Sequence, residues 1–229
     1  MSLNEKLQEL GTQFRANEYV AYFDAAVNLV AEEEALRLSK VGERAPTFTL
    51  SDPDFGQVSS LDLLADGPLV VSFYRGLWCG YCQRDLIGLE QAMPSIRLAH
   101  ASAVAIAHGV EPAIRERLRK LNEFSFPLLD DVNGRVAEQF GIRWSTAESD
   151  LIDEELGMNL DTLRGTRPWI LPMQARFVIG QSGTIEFAEA VFNYDQRSEP
   201  VVVLSILAGL REPVADNQTS TGAGTTKQP

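Results

Sequence analysis

The chain has 229 residues, 45% of them hydrophobic and 23% charged, ordinary globular statistics that support one substantial core with an extension. A formal net charge of -12 opposes phosphate backbones and anionic lipid, so neither nucleic acid nor a membrane is expected as a partner. Its 2 cysteines stand three positions apart, too close for the long-loop disulfide framework of a secreted scaffold, which leaves redox or metal chemistry.

Residues 1–40 read as a helical N-terminal extension, because Leu7, Leu10, Phe14, Tyr22, Phe23, Ala26 and Val27 recur at helical spacing with Glu32, Glu33 and Glu34 on the opposing faces. Such a helix packs on its own domain or on a second copy, so a homodimer stays open. Glu5, Lys6 and Glu9 stand where a leader would be apolar, and a cytoplasmic location is expected.

The main domain is expected over residues 41–212. Gly42 and Pro46 break the helical pattern, and Phe48 and Leu50 alternate into a turn at Asp52-Pro53-Asp54. After Gly67-Pro68, the apolar run Leu69-Val70-Val71-Ser72-Phe73-Tyr74 reads as a parallel strand covered on both faces. Leu86, Leu89 and Met93 follow at helical spacing, then a second apolar run, Ala103-Val104-Ala105-Ile106-Ala107. A strand–helix–strand crossover sets the carboxyl ends of both strands on one edge of the sheet, so the Cys79 loop and His108 share that edge. A further helix is expected over residues 111–121, with Arg115, Arg117, Arg119 and Lys120 forming a solvated face among Glu116 and Glu123.

Arg176-Phe177-Val178-Ile179 and Thr184-Ile185-Glu186-Phe187-Ala188 flank Gln181-Ser182-Gly183 and read as an antiparallel hairpin. A last helix over residues 199–210 closes the domain; its apolar run is about half of the ~20 residues that span a bilayer. Residues 213–229 are too polar to repay the entropy of ordering and are expected to be disordered.

Trp78-Cys79-Gly80-Tyr81-Cys82 thus falls between the end of a buried strand and the start of a helix. There a thiolate is favoured by unpaired backbone N–H groups and the positive end of the helix dipole. Two thiols one turn apart can cycle between dithiol and disulfide, the second attacking a mixed disulfide or sulfenic acid formed on the first. The bland alternative is a buried pair of small hydrophobes. Zinc needs four ligands, and the remaining soft ligands, His100 and His108, sit at opposite ends of one strand, roughly 25 Å apart at ~3.3 Å per residue. No metal site is expected.

The run Phe73-Tyr74-Arg75-Gly76-Leu77-Trp78-Cys79-Gly80-Tyr81-Cys82 resembles the peroxiredoxin-like branch of the AhpC/TSA (redoxin) family, in the thioredoxin-fold superfamily. Supporting segments follow in order: Gly42-Glu43-Arg44-Ala45-Pro46-Thr47-Phe48, Phe126-Pro127-Leu128-Leu129-Asp130-Asp131, Phe140-Gly141-Ile142 and Arg176-Phe177-Val178-Ile179-Gly180-Gln181-Ser182-Gly183. The resemblance implies an α/β thioredoxin-like fold, a central mixed sheet flanked by helices, and thiol peroxidase or disulfide reductase chemistry. In the peroxiredoxin register Cys82 attacks the peroxide, Cys79 falls where the family has threonine, Arg75 where it has proline, and Asp85 where many members have glutamate. In the thioredoxin register the roles reverse, with Cys79 the exposed nucleophile and Cys82 the resolving thiol. Gln174 stands where thioredoxins carry a cis-proline and many peroxiredoxins an arginine.

Strand alternation turns Gln174 and Arg176 the same way, so Arg176 either approaches the thiolate or lies solvated on the surface. Trp78 is either an apolar wall to the thiols or a packing residue, Tyr81 tunes the disulfide or stacks on substrate, and His108 is a proton shuttle or a hydrogen-bonded loop residue. The expected function is reduction of hydroperoxides through a Cys79/Cys82 dithiol–disulfide cycle with no cofactor, reset by thioredoxin, glutathione or another external dithiol. A thioredoxin-type disulfide reductase is the first alternative. A redox-sensing binding protein with little turnover is the alternative of another class.

Overall fold

The computed structural model describes residues 38–76, 80–109, 115–116, 119–121, 124–145, 170–191, 198 and 200–210, with the backbone alone at 80–81, 144–145, 170–171 and 191. The expected N-terminal helix and C-terminal tail lie outside these residues, save for residues 38–40 at the end of the extension.

The elements bounded within the described residues are nine strands and four helices, with a 3-10 turn at Val132–Gly134, and residues 115–116 and 119–121 are helical as well. They run β1 (Thr49–Asp52), β2 (Gly56–Ser59), α1 (Ser60–Asp66), β3 (Leu69–Phe73), α2 (Gly80–Leu98), β4 (Ser102–Ala107), β5 (Leu128–Asp130), α3 (Arg135–Gln139), β6 (Arg143–Ser145), β7 (Ile170–Pro172), β8 (Gln174–Ile179), β9 (Ile185–Val191) and α4 (Pro200–Gly209). Seven strands form one sheet in the order β2-β1-β5-β4-β3-β8-β9, while β6 and β7 pair apart from it. The sheet is mixed: β3, β4 and β5 are parallel, and β8 joins β3 antiparallel with Val71 opposite Phe177.

The two faces of the sheet carry separate cores. Val70, Tyr74, Ala105 and Val178 pack against the inward stripe of α2, which is Cys82, Leu86, Leu89, Met93 and Ile96, and against Val203 and Leu207 of α4. That stripe recurs every three or four residues, the spacing that keeps one face of a helix on a sheet. Leu69, Val71, Phe73, Val104, Ile106 and Phe177 point the other way. There Phe140 lies 5.2 Å from the Phe73 ring and 4.7 Å from that of Phe177. Every residue of β3 is buried, as the continuous apolar run requires.

Two features of the expected pattern change. The basic run does not form a solvated face: Arg115 is buried and 3.7 Å from Asp130, and Arg119 pairs with Asp52 and, at 2.9 Å, with Asp54. Lys120, bonded to Glu116 at 2.5 Å, is exposed as expected, and Arg117 lies outside the described residues. The cause is Asp52, a buried carboxylate at the end of β1. Its Oδ1 accepts from the N–H groups of Asp54 and Phe55, closing the turn seen in the sequence, while Oδ2 accepts from Leu128 N at 2.7 Å and from Arg119. A buried carboxylate needs such a cation, which draws Arg119 inward. The second change is at short elements: β2, β5, β6 and β7 have 3 or 4 residues each and carry no readable period.

Candidate active site

The chain leaves β3 at Phe73 and crosses the carboxyl edge of the sheet through Tyr74, Arg75 and Gly76 before α2 begins at Gly80. Cys82 is the third residue of that helix and heads its apolar stripe, so its side chain turns inward and is fully buried. Its sulfur lies in the first helical turn, where backbone N–H groups have no partner within the helix and favour a thiolate. The strand-to-helix placement read from the sequence is therefore present. Cys79, Trp78 and the side chain of Tyr81 lie outside the described residues.

Strand β8 supplies the side chain on the sulfur. Gln174, 1% exposed, donates its Nε2–H to Cys82 Sγ at 2.7 Å. Among the described residues its Oε1 is buried without a hydrogen-bond partner. Arg176 faces the same way, as alternation predicted, yet its guanidinium goes to a carboxylate: Nη2 donates to Asp85 Oδ1 at 2.5 Å, and Nη1 to the Ser198 carbonyl at 3.4 Å. No part of the Arg176 side chain is exposed, which removes the solvated-surface reading. Two residues along a strand advance about 6.6 Å, whereas three along a helix advance about 4.5 Å. Arg176 therefore meets the residue one turn beyond Cys82. Glu189 of β9 stands opposite Arg176 in register and accepts from the Ser198 backbone N–H and hydroxyl.

Tyr74 is a site residue that the sequence reading passed over. It is fully buried, its hydroxyl has no partner among the described residues, and it shares the α2-facing core with Cys82. Burial pushes its phenol well above the ordinary value; the Arg115 guanidinium works against this, and charge on Cys82, Asp130 and Asp52 adds to it. Tyr74 is thus held as a neutral donor. The signal available in the sequence was its place in the Phe73-Tyr74-Arg75 run, where period 2 sets it on the same face as Val70 and Ser72.

Arg75 is buried beside this turn at 6% exposure. His108 follows β4 on the shared edge but leans toward the segment after β5, with Nδ1 3.0 Å from the Asp131 carbonyl oxygen and 3.2 Å from Asn133 N. That is the hydrogen-bonded loop residue of the two roles weighed for it. Asp131 beneath it caps α3 by accepting from Val136 N and Ala137 N; burial raises its carboxyl above the ordinary value, against the pull of those N–H groups and of His108. Among the described residues no group of three or more His, Cys, Asp or Glu is placed to hold a metal ion, and no helix is long and apolar enough to cross a membrane.

A buried thiol at a helix start, with one amide donor on its sulfur and a neutral phenol nearby, is suited to act as a nucleophile toward a small electrophile. Known proteins agree with this chemistry. The model of the AhpC/TSA family matches residues 41–188. The chain is 28% identical over 151 residues to alkyl hydroperoxide reductase E of Mycobacterium tuberculosis, covering 65% of this chain and 84% of that protein. It is 30% identical over 103 residues to peroxiredoxin Bcp of Escherichia coli, covering 45% and 65%. Among solved structures, peroxidoxin BcpB from Mycobacterium tuberculosis superposes with a TM-score of 0.59 at 23% identity, over 76% of this chain and 99% of that one. AhpC from the same organism gives 0.56 at 16% identity, over 76% and 99%. At these identities the structural likeness is one of fold, and the fold is thioredoxin-like.

Proposed function

The chain belongs to the AhpC/TSA family and is a thiol-dependent peroxidase, and we propose that Cys82 is its attacking thiol and Cys79 the thiol that resolves it. The observation that carries this reading is the hydrogen bond from Gln174 Nε2 to a Cys82 sulfur buried in the first turn of α2. A donor on the sulfur and the helix N-terminus both favour the thiolate, which is the reacting form.

In this mechanism the Cys82 thiolate attacks the terminal oxygen of a hydroperoxide. An S–O bond forms and the O–O bond breaks. Sulfur is oxidised by two electrons to sulfenic acid, and the departing alkoxide or hydroxide takes a proton from solvent to leave as alcohol or water. The Cys79 thiol then attacks the sulfenic sulfur, water departs, and a Cys79–Cys82 disulfide remains for an external dithiol to reduce. The cytoplasm, where such reductants are kept, is the compartment that fits.

The test is rapid mixing of the reduced protein with hydrogen peroxide, following loss of free thiol in wild type, Cys79→Ser and Cys82→Ser. Fast oxidation is expected in wild type and Cys79→Ser, and its loss in Cys82→Ser. Fast oxidation that survives in Cys82→Ser and disappears in Cys79→Ser reverses the roles.

A further inference from the structure

Gln174 presents two heteroatoms from one carbon. Nε2 is occupied by Cys82 Sγ at 2.7 Å, while Oε1, in a side chain 1% exposed, has no hydrogen-bond partner among the described residues. A buried acceptor without a donor is costly, so a ligand that brings a donor to this spot is favoured over one that does not. The neighbouring cation makes no hydrogen bond to this oxygen: the two Nη groups of Arg176 go to Asp85 and the Ser198 carbonyl, and its Nε is buried without a partner among the described residues.

We infer that Gln174 is a catalytic residue that selects hydroperoxides: its Nε2–H holds the Cys82 sulfur, and its Oε1 accepts the O–H of the peroxide oxygen under attack. The inference rests on the reading of Cys82 as the attacking thiol. In a hydroperoxide the terminal oxygen, the one sulfur attacks, carries a hydrogen. That hydrogen stays with the oxygen as it becomes the sulfenic hydroxyl, so Oε1 keeps its partner from substrate to product. The hydrogen bond fixes the O–O axis relative to sulfur, which is the orientation the displacement needs. A disulfide or thiosulfonate places a sulfur without hydrogen at the same point and leaves Oε1 unpaired. The same amide therefore favours peroxide reduction over disulfide exchange at this thiol.

The experiment uses the reduced full-length chain in the Cys79→Ser background, so that one thiol is read, with Gln174 intact, Gln174→Met and Gln174→Glu. Rates with hydrogen peroxide and with methyl methanethiosulfonate, a small sulfur electrophile without an O–H, are measured against pH. Each titration gives the thiol pKa and a plateau rate for the fully ionised thiolate. Gln174→Met removes donor and acceptor together, and is expected to raise the thiol pKa and lower the peroxide plateau about ten- to hundred-fold, with the thiosulfonate plateau within about two-fold. Gln174→Glu keeps an acceptor and loses the N–H. It is expected to raise the thiol pKa while the ratio of the two plateaus stays near that of intact Gln174. An unchanged ratio in Gln174→Met overturns the inference, as does an equal fall in both variants. Should the Met variant fail to fold, a ratio that collapses in Gln174→Glu overturns it alone. If the protein with Gln174 intact reacts with peroxide no faster than a small free thiol, the reading of Cys82 as nucleophile fails first, and this inference with it.

Discussion

Arg176 donates to Asp85 at 2.5 Å from a side chain with no exposed surface, one helical turn beyond the thiol that its strand neighbour Gln174 holds. The guanidinium locks β8 to α2 and so fixes where Gln174 meets Cys82. Glu189, opposite Arg176 on β9, adds a second carboxylate on the same face of the sheet. Removing the cation leaves Asp85 without this partner in a part-buried setting. Arg176→Met is expected to lower the unfolding free energy by about 3–5 kcal/mol, read from urea denaturation. The paired change Arg176→Met with Asp85→Leu recovers part of that loss, because no charge of this pair then remains to be solvated.

Tyr74 sets a pH limit. Its phenol is raised above the ordinary value of 10.0, first by burial, so between that value and the raised one the folded chain keeps a proton that the unfolded chain has lost. The sign follows: the stabilisation is complete below pH 10.0 and is lost as the pH climbs toward the folded value. Unfolding free energy is expected to fall with pH in that alkaline window, and Tyr74→Phe to remove its share of the fall. Denaturation midpoints of the two proteins between neutral pH and pH 11 check this.

Asp52 joins the β1 turn to β5 through four donors: Asp54 N, Phe55 N, Leu128 N and Arg119. Asp52→Ala strands the buried Leu128 N–H, opens the turn at Asp54 and Phe55, and takes from Arg119 one of its carboxylate partners. A loss of about 3 kcal/mol or more is expected. Lys120→Ala, which breaks only an exposed pair with Glu116, is expected to change the same urea midpoint by no more than the error of measurement.

Gly67 precedes the strand that leads to the site. A Cβ built there would lie 1.9 Å from the carbonyl oxygen of His100, a backbone atom held in the turn into β4. Gly67→Ala must push apart the starts of β3 and β4, and is expected to cost about 1–3 kcal/mol, seen as a lower melting temperature. Gly42→Ala, which meets no atom within 4 Å but has a φ of +89°, separates backbone strain from steric overlap in the same measurement.

The sequence by itself determined the elements whose pattern is local. The continuous apolar runs of β3 and β4, the helical spacing of Leu86, Leu89 and Met93 in α2, the hairpin of β8 and β9 about Gln181-Ser182-Gly183 and the closing helix α4 are all legible from neighbouring residues, because a side chain's facing follows directly from backbone geometry. The same alternation put Gln174 and Arg176 on one face. What tertiary structure decided is which of them reaches the thiol. Gln174 and Cys82 are 92 positions apart, and their meeting depends on the register of β8 against β3 and on the depth at which α2 lies across the sheet. A register shift of two residues along β8 would exchange the amide for the guanidinium. The burial of Arg115 and Arg119 was likewise hidden, since a charged residue goes inward only where a distant carboxylate such as Asp52 awaits it. Local periodicity fixes the direction of a side chain, whereas its partner is set by packing between segments far apart in the chain.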